Sequence, residues 1–561
     1  MCKDVERNLT PSERALFARA SNTAGKHAMG FSSYEQARGY FELGIRLLHD
    51  KTWDNQYSLS LELHEMSVTV SFMVGDFEDV SRRLDSIFTN AKSFNDALNA
   101  RALRAKFLAS QARYAEMTSE TLSVLSILGE KFPKENHLEN ATDELEATKL
   151  KVKDVSEESI LRLPPMKNSK KMNAMKFMGI LVTLAHYYSP TLMPLLCCRM
   201  TKMTFVYGFC EDSILGLASL SHALVHYSGD IHLASRISRV TDFLISRNEN
   251  EHSLRAKLLL CTTSIRAVVE PLRCIVEHSL RGYNSAKIVG DAANEAVGGL
   301  FYCVGSFYSI PDLIELQRQM VIFIRQLAKR KQIGILHSAM SFFDTVTRFI
   351  GNRDSCGIDA RIVMMTNKEL YHIAEDTENS YLMHHTLLNQ ICMHCYFREF
   401  SDVAVLAEIY REQSGLKNGT KRLLDIMFVF FEGISALCLA RKTKKEELSK
   451  IGEKAVKFMQ QLTEYNSWNF ENKLCLLQAE LHHLNQCNTM AKQSYEAAIE
   501  SSNKHKYFHE EALTCELYGV YLIENKMVSE GKDQLRLAID KYRKWGATRK
   551  ADDVVKLISL V

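Results

Sequence analysis

The feature that most constrains this chain is an apolar pattern with the period of an α-helix, repeated along its length. The pattern occurs in 58–74, 101–108, 173–187, 313–328 and 511–523. No alternating pattern typical of strands and hairpins accompanies it, so the sequence predicts an all-α fold. In the first range, offsets of two, three and four residues place the apolar side chains on one broad helix face: Leu61, Leu63, Met66, Val70, Phe72 and Met73.

A short turn signature recurs between the predicted helices. It reads small or polar, polar, apolar, any, any, small or apolar. The first position is predicted to follow the end of one helix, the third to anchor the start of the next, and the sixth to pack against the first helix. The six occurrences are GDFEDV (75–80), ARYAEM (112–117), GDIHLA (229–234), REFSDV (398–403), QCNTMA (486–491) and KMVSEG (526–531).

The spacing of these signatures indicates the kind of repeat. Gly75 and Ala112 are 37 residues apart, and Gln486 and Lys526 are 40 apart. Such periods are typical of helix-turn-helix repeats of the tetratricopeptide (TPR) kind. Because one helix pair cannot bury its own apolar face, neighbouring pairs stack. We therefore predict an α-solenoid of TPR-like repeats, which the low content of 8 prolines and 25 glycines also favours.

Two irregular stretches predict where the array divides. Residues 130–172 contain Pro133 and the pair Pro164–Pro165, and residues 411–423 are polar with two glycines. The predicted units are N-terminal TPR-like repeats in 1–150, a linker in 151–172, central helical repeats in 173–412 and C-terminal TPR-like repeats in 422–561.

The charge and cysteine patterns indicate a cytoplasmic protein that does not bind nucleic acid. The formal net charge is +3, and the basic runs at 167–171 and 441–447 form no long stripe with aromatic residues. The 14 cysteines are scattered, many inside apolar stretches, and the opening segment MCKDVERNLT is polar, unlike a signal peptide. Reduced thiols in the cytoplasm explain this pattern.

Two apolar stretches, 176–188 and 427–440, are candidates for a membrane span. Both fall short of about 18 uninterrupted apolar residues, and Glu432 interrupts the second. We therefore predict buried helices at both places and no membrane span.

Catalytic and nucleotide-binding motifs do not occur in complete form. The string nearest to a phosphate-binding loop, GLKNGTK at 415–421, has the wrong order of glycines and lysine. Kinase landmarks, HExxH and GxSxG do not occur either. We therefore predict no catalytic or cofactor-binding residues, no cofactor, and a protein that is not an enzyme.

The best candidate metal ligands lie in HHTLLNQICMHC at 384–395. His385, Cys392, His394 and Cys395 offer imidazole and thiolate groups at short spacing. A structural zinc site generally needs a second spaced pair of ligands, and none is close in sequence. A buried helix with two core cysteines is the favoured interpretation, so no metal site is predicted; a metal-sensing or redox-sensing module is the alternative.

Other paired residues have plain structural interpretations. Cys197–Cys198 is predicted to lie in the core, and His482–His483 to be half exposed. The acidic pairs Glu157–Glu158 and Glu510–Glu511 are predicted to lie on solvated helix faces. Four aromatic residues at helical spacing are predicted to belong to the core: Phe301, Tyr302, Phe307 and Tyr308.

A set of longer strings follows one order along nearly the whole chain. The strings are AGKHAMGFSSYEQARGYFELGIRLL (24–48), TWDNQYSLSLELHEMSVTVSFMVGDFED (52–79), YGFCEDSILGLASLSHALVHYSGDIHLASRISRVTDFLISR (207–247), GYNSAKIVGDAANEA (282–296), WNFENKLCLLQAELHHL (468–484), SYEAAIESSNKHKYFHEEALTCELYGVYL (494–522) and AIDKYRKWGATRKADDV (538–554). The set resembles the TPR-like helical region of large hybrid signalling kinases, in which a serine/threonine kinase and a STAND-type predicted ATPase come first and GAF, histidine-kinase or cyclase modules often follow. Tyr542, Trp545, Gly546 and Ala547 are its most specific part.

The resemblance implies a regulatory, interaction-type role, because the chain lacks the ATPase and enzymatic domains of that family. We expect a non-catalytic scaffold that mediates protein–protein interactions in cytoplasmic signal transduction. Its partner would be a protein or peptide on a concave helical face, and the resemblance points to a signalling ATPase or kinase. The alternative is a regulatory segment of a larger signalling ATPase or kinase that has been truncated or split.

Overall fold

The fold is all-α, as the sequence predicts. The structure, a computed structural model, describes residues 9–31, 33–48, 52–133, 138–189, 191–247, 252–309, 312–351, 365–414 and 423–560. These residues form helices and, apart from one isolated bridge between Pro165 and Phe209, no β-structure.

The first half of the described chain contains helices of very different lengths. They are α1 (Pro11–Gly30), α2 (Tyr34–Leu47), α3 (Thr52–Asn55), α4 (Tyr57–Val74), α5 (Phe77–Asn90), α6 (Leu98–Ser110), α7 (Tyr114–Ile127), α8 (Leu138–Lys153), α9 (Glu157–Leu161), α10 (Ser169–Tyr188), α11 (Leu192–Tyr207), α12 (Glu211–Ala223), α13 (Ile231–Arg247), α14 (His252–Val269) and α15 (Leu272–Ile288).

The second half is more uniform, with most helices 15 to 21 residues long. They are α16 (Ala292–Ser309), α17 (Leu313–Lys329), α18 (Ile333–Ile350), α19 (Asn367–Asp376), α20 (Ser380–Tyr396), α21 (Phe400–Ser414), α22 (Leu423–Thr443), α23 (Glu446–Tyr465), α24 (Ser467–Leu484), α25 (Asn488–His505), α26 (Phe508–Glu524), α27 (Val528–Trp545) and α28 (Thr548–Ser559).

All five ranges with helical periodicity lie in helices, namely in α4, α6, α10, α17 and α26. The irregular interpretation of 130–172 was wrong in part, because Leu138–Lys153 forms a helix there and Glu157–Leu161 a short second one. Buried Leu145 and Val152 show why: α8 has an apolar face that packs on α11.

Three parts of the predicted turn signature, namely the helix end, the start of the next helix and the packed sixth residue, are confirmed at all six places. Each first residue has a left-handed backbone, with φ between 58° and 83°. Each third residue begins the next helix: Phe77, Tyr114, Ile231, Phe400, Asn488 and Val528. Each sixth residue is buried: Val80, Met117, Ala234, Val403, Ala491 and Gly531. The expected apolar anchor at the third position is buried at Ile231 and Phe400, whereas Val528 is 40% exposed.

The hydrogen bonds of these turns explain their recurrence. The N–H of Asp76 donates to the carbonyl of Ser71 (2.9 Å), five residues back, and Met527 donates to Leu522 in the same way (2.9 Å). This bond closes the end of a helix and requires a left-handed residue just before the donor. At Gly229 the bond from Asp230 reaches Leu224, one residue further back, because α12 ends in a π-helical turn (Leu224–Ser228).

Among the described residues, five further helices end in the same turn and lead directly into the next helix, without a match to the signature. Their left-handed residues are Gly290, Lys331, Glu378, Lys506 and Gly546. In each case the next helix begins two residues later. Gly546 follows Trp545, which is buried and ends α27.

The even-numbered helices form an inner layer. From α2 to α26 each contacts the next even-numbered helix, with α10 directly following α6 in this series. The odd-numbered helices pack mainly on their chain neighbours. Helices far apart in sequence also meet: α18 contacts α6 and α28, α10 contacts α20, and α14 contacts α22.

One side chain shows how such distant segments are joined. Asn469 at the start of α24 accepts a hydrogen bond from the N–H of Leu272 (3.0 Å) through its Oδ1. Its Nδ2 donates to the carbonyl oxygens of Glu270 (2.7 Å) and Ala267 (3.1 Å). Asn469 is fully buried, so a polar link between segments about 200 residues apart is satisfied inside the protein.

One described helix, α22, is long and apolar enough to cross a membrane, with a mean hydropathy of 2.0. The sequence-based exclusion of 427–440 was too strict on length, because the helix extends to Leu423–Thr443. Most of its apolar stretch, 72%, is buried against the rest of the chain. Asp425 accepts a hydrogen bond from Tyr410 (2.9 Å), and Glu432 pairs with Arg411, which is typical of a core helix.

The left-handed turns give a stability prediction. Lys526 has φ 69° and an exposed side chain, and a non-glycine residue there costs roughly 1 kcal/mol. Lys526→Gly should therefore raise the free energy of unfolding by about 0.5–1 kcal/mol. In the control Lys457→Gly, within α23, the same change should lower it by about 1 kcal/mol. Urea denaturation measures both; equal effects at the two sites would contradict the turn geometry.

Candidate functional site

The inner layer surrounds a cavity of about 530 Å³, a size common for small-molecule sites. Its wall is formed by residues of α4, α6, α10, α12, α14 and α16, and by the ends of α18, α20 and α22. Most of the lining is apolar, and it includes Phe72, Met73, Ile180, Leu215, Val297 and Phe301.

Four of the six lysine and aspartate side chains that line this cavity form a charged cluster and come from four different helices. They are Lys106 on α6, Lys176 on α10, Asp212 on α12 and Lys257 on α14. Asp291 and Asp425 also line the cavity. They accept hydrogen bonds from Asn294 (2.8 Å) and Tyr410 (2.9 Å), whereas Asp212 accepts none within the described part of the chain. Gly179 leaves room for the Asp212 carboxylate, since a Cβ there would lie 2.7 Å from its Oδ1.

The electrostatics show that these groups influence one another. Burial lowers the pKa of Lys176, and the Lys106 and Lys257 ammonium groups lower it further, against the opposite effects of Asp212 and Glu65. Lys106 and Lys176 are nevertheless exposed and Asp212 and Lys257 half-buried, so the cavity is open to solvent at this cluster. Burial also raises the pKa of Asp212 although Lys257, Lys176 and Lys106 oppose that shift.

These four side chains are weakly paired within the described part of the chain. Lys176 donates a hydrogen bond to Asn99 Oδ1 (2.9 Å). Lys106, Lys257 and Asp212 make no hydrogen bond and no ion pair within 4 Å there. Glu65 accepts a long hydrogen bond from Asn99 (3.5 Å) but does not line the cavity.

A second concave surface, here named the acidic groove, lies among α25, α26 and α27. Its floor is apolar and includes Tyr518, Leu522 and Ile499, and Leu537 lies at its edge with 36% of its surface exposed. Four acidic residues line it: Glu496, Glu500, Glu530 and Asp533. Lys492 is the single basic residue in this lining, so the groove is strongly negative.

Tyr518 links both sides of the acidic groove. Its hydroxyl donates to Glu496 Oε1 (3.4 Å), and burial raises its pKa, with Glu496 and Glu530 adding to the shift. Asp533 is paired with Arg536 (2.6 Å) on the surface of α27. The remaining acidic side chains of the groove are exposed to solvent.

The four candidate metal ligands on α20 do not converge. Cys392 and Cys395 are fully buried free thiols, and burial raises the pKa of Cys395 to about 12. His385 is buried beside Tyr381 and Phe342. His394 is half-buried on another face of α20, because one residue corresponds to a rotation of about 100°.

His394 belongs instead to a small surface group with Glu399 and Asp402. Its Nδ1 lies 2.5 Å from Glu399 and 3.8 Å from Asp402. The three possible ligand atoms lie within 4.8 Å of one another, and both carboxylates are exposed. His394 lies in the last turn of α20, and Asp402 lies in the first turn of α21. The helix dipoles favour a basic group at the first place and an acidic group at the second, which explains the contact.

Several simpler predictions can be compared with the structure. Cys197 and Cys198 are fully buried, which confirms them as core residues. His482 is half-buried, but His483 is buried and lies 3.2 Å from Glu524, so this prediction holds for one histidine only. Among the aromatic residues, Phe307 and Tyr308 are buried, whereas Phe301 and Tyr302 are partly exposed.

The prediction of a solvated face at Glu510–Glu511 was wrong. Both residues are 2% exposed, because α26 packs against α24, α25 and α27. Glu510 pairs with Lys473 (2.8 Å) and Glu511 with Lys541 (2.6 Å). At Glu157–Glu158, by contrast, the side chains are exposed as predicted.

Buried glutamates with complete sets of partners hold the C-terminal helices together. Glu480 accepts from Tyr495 (2.6 Å) and pairs with Arg441. Glu516 accepts from Tyr542 (2.7 Å) and Lys550 (2.8 Å) and also pairs with Arg398. Satisfied carboxylates of this kind have a structural role, and we assign no chemistry to them.

The string GLKNGTK at 415–421 lies outside the described residues. No protein-family model and no curated protein matches the chain. The resemblance to hybrid signalling kinases therefore depends on the quoted strings alone.

The Glu516 network gives a second prediction. Lys550 is fully buried, so Lys550→Met leaves a buried carboxylate with one partner fewer and should cost about 3 kcal/mol of unfolding free energy. The exposed pair provides a control: Arg536→Met should cost less than about 1 kcal/mol. Denaturant unfolding compares the two variants, and similar costs would refute the structural role of Glu516.

A third prediction concerns pH. Burial raises the pKa of Glu510, but the Lys473 ammonium and His509 outweigh this and lower it from 4.5 to about 2. Because the folded-state pKa is the lower one, ionised Glu510 stabilises the fold above about pH 4.5, and this contribution is lost between pH 4.5 and 2. The unfolding free energy of Glu510→Gln should fall less over that window than that of the wild type. The exposed control Glu453→Gln should follow the wild type.

Proposed function

We propose that the chain is a non-catalytic α-solenoid of TPR-like repeats that binds a protein partner in cytoplasmic signal transduction. The recurrent left-handed turn and the continuous series of inner helices support the repeat architecture. The resemblance to the helical region of signalling kinases supports the setting and suggests a signalling ATPase or kinase as the partner.

The observation that carries this proposal is the acidic groove. An apolar floor between acidic rims suits an amphipathic helix with basic residues along its sides, a common mode of peptide recognition. The volume of the central cavity suits a small molecule better than a protein segment, so we propose the acidic groove as the place of the protein partner. Opposite charges would orient the partner and speed its association.

The groove can be tested with a fluorescent 18-residue amphipathic helix made of leucine and lysine. It should bind the full chain, and binding should weaken as salt is added because charges at the rim are screened. Glu496→Lys combined with Glu530→Lys should weaken binding by about tenfold or more. Fluorescence anisotropy gives the dissociation constants.

Two controls make this test decisive. Glu453→Lys changes an equally exposed acidic residue on α23, outside the groove, and should leave binding unchanged. A peptide with glutamate in place of lysine should not bind. If that peptide binds as tightly, or if the groove variants bind like the wild type, the proposed partner site is wrong.

A further inference from the structure

The central cavity contains a cluster of lysine side chains that the packing of the helices does not require. Structural charges elsewhere in the protein are paired, as at Glu516 and Glu510. Three carboxylates and three ammonium groups line the cavity, but Asp291 and Asp425 accept hydrogen bonds from Asn294 and Tyr410, whereas Asp212 acts electrostatically on Lys176. Lys106 and Lys257 make no hydrogen bond and no ion pair within 4 Å among the described residues. Like charges brought together in a partly desolvated space lower stability unless a counter-charge joins them.

The arrangement is also convergent. The three lysines come from α6, α10 and α14 and are 70 and 81 residues apart in the chain (176 − 106 and 257 − 176). Only the packing of the inner layer brings them together. Their electrostatic influence on Lys176 and Asp212 shows that all four groups lie in one region. Such a cluster suits an anionic headgroup, which can accept hydrogen bonds from several ammonium groups.

The rest of the lining indicates the shape of the ligand. Apolar side chains from α4, α10, α12 and α16 adjoin the charged cluster: Phe72, Ile180, Leu215, Val297 and Phe301. A small inorganic anion would leave this apolar surface uncovered, whereas an apolar body attached to the anion would cover it. A volume of about 530 Å³ suits a small molecule better than a folded peptide segment.

We propose that the central cavity binds an amphipathic anion, with its carboxylate or phosphate head at Lys106, Lys176 and Lys257 and its apolar body against Phe72, Val297 and Phe301. The three ammonium groups and the Asp212 carboxylate give the cluster a net charge of +2 (three positive, one negative) when all are ionised, which suits a headgroup with one or two negative charges. This site is separate from the acidic groove, so it does not depend on the proposed partner.

The test uses dodecanoate and dodecyl phosphate, below their micelle concentrations, with the full chain. Both should bind in calorimetry and raise the temperature of thermal unfolding, since a ligand that binds only the folded state stabilises it. Dodecyltrimethylammonium has the same chain with a cationic head, and inorganic phosphate has no chain; neither should bind. The anion that binds with the higher affinity shows whether the site prefers a carboxylate or a phosphate headgroup.

Variants locate the site. Lys106→Gln combined with Lys257→Gln should weaken anion binding by about tenfold or more. Because it relieves repulsion, it should leave the ligand-free unfolding temperature unchanged or higher, whereas a structural role would lower it. Val297→Phe should reduce binding by filling the apolar part without changing any charge. Lys202→Gln, an exposed lysine of α11 outside the cavity, is the matched control and should bind like the wild type.

The outcomes separate the possibilities. Binding that is lost in the lysine and Val297 variants but kept in Lys202→Gln supports the proposal. The proposal would be overturned if the cationic detergent bound as tightly as the anions, or if inorganic phosphate without an apolar chain bound. It would also be overturned if neither anion bound, or if the lysine variant bound the anions like the wild type. Since the acidic groove lies on other helices, its Glu496 and Glu530 variants should still bind the anion, whatever the result with the basic peptide.

Discussion

The left-handed turn between helices is the constraint on which the rest of the structure depends. It ends one helix and starts the next within two residues, so each pair of helices must pack side by side. In the part of the chain that the structure describes, seven of the eleven turns of this kind use a residue other than glycine at the left-handed position, for example Ala112, Lys331 and Gln486, at a cost of roughly 1 kcal/mol each. Burial of the residue that packs back against the first helix, such as Met117, offsets that cost.

Repeated pairing explains how two different surfaces arise from one architecture. The even-numbered helices face one another, and contacts such as α10 with α20 bring the layer around an internal cavity. The acidic groove forms where the odd-numbered helices α25 and α27 flank α26. Paired charges such as Glu516 with Lys550 fix the C-terminal helices, whereas the lysines of the cavity are not used in this way.

Much of the fold could be predicted from local sequence patterns, because helices and turns are determined by residues close together in the chain. Helical periodicity over 58–74 and 313–328 and the six turn signatures needed only neighbouring residues to be interpreted, and the structure agrees with them. The turns at Lys331 and Lys506 were missed because their hydrogen bonds depend on backbone conformation, which a polar side chain does not reveal. Glu510–Glu511 was misjudged because a charged pair shows no sign of its partners, Lys473 and Lys541, on other helices.

The sequence by itself determined the helices, the turns and the all-α class, since these follow from side-chain periodicity and from backbone preferences within a few residues. Only the tertiary structure decided which residues form sites. No local sequence pattern marks the four charged residues of the cavity, which form a cluster only when the inner helices pack together: Lys106, Lys176, Asp212 and Lys257. His385, Cys392, His394 and Cys395 are close in the chain yet do not converge, because a helix distributes neighbouring residues around its axis.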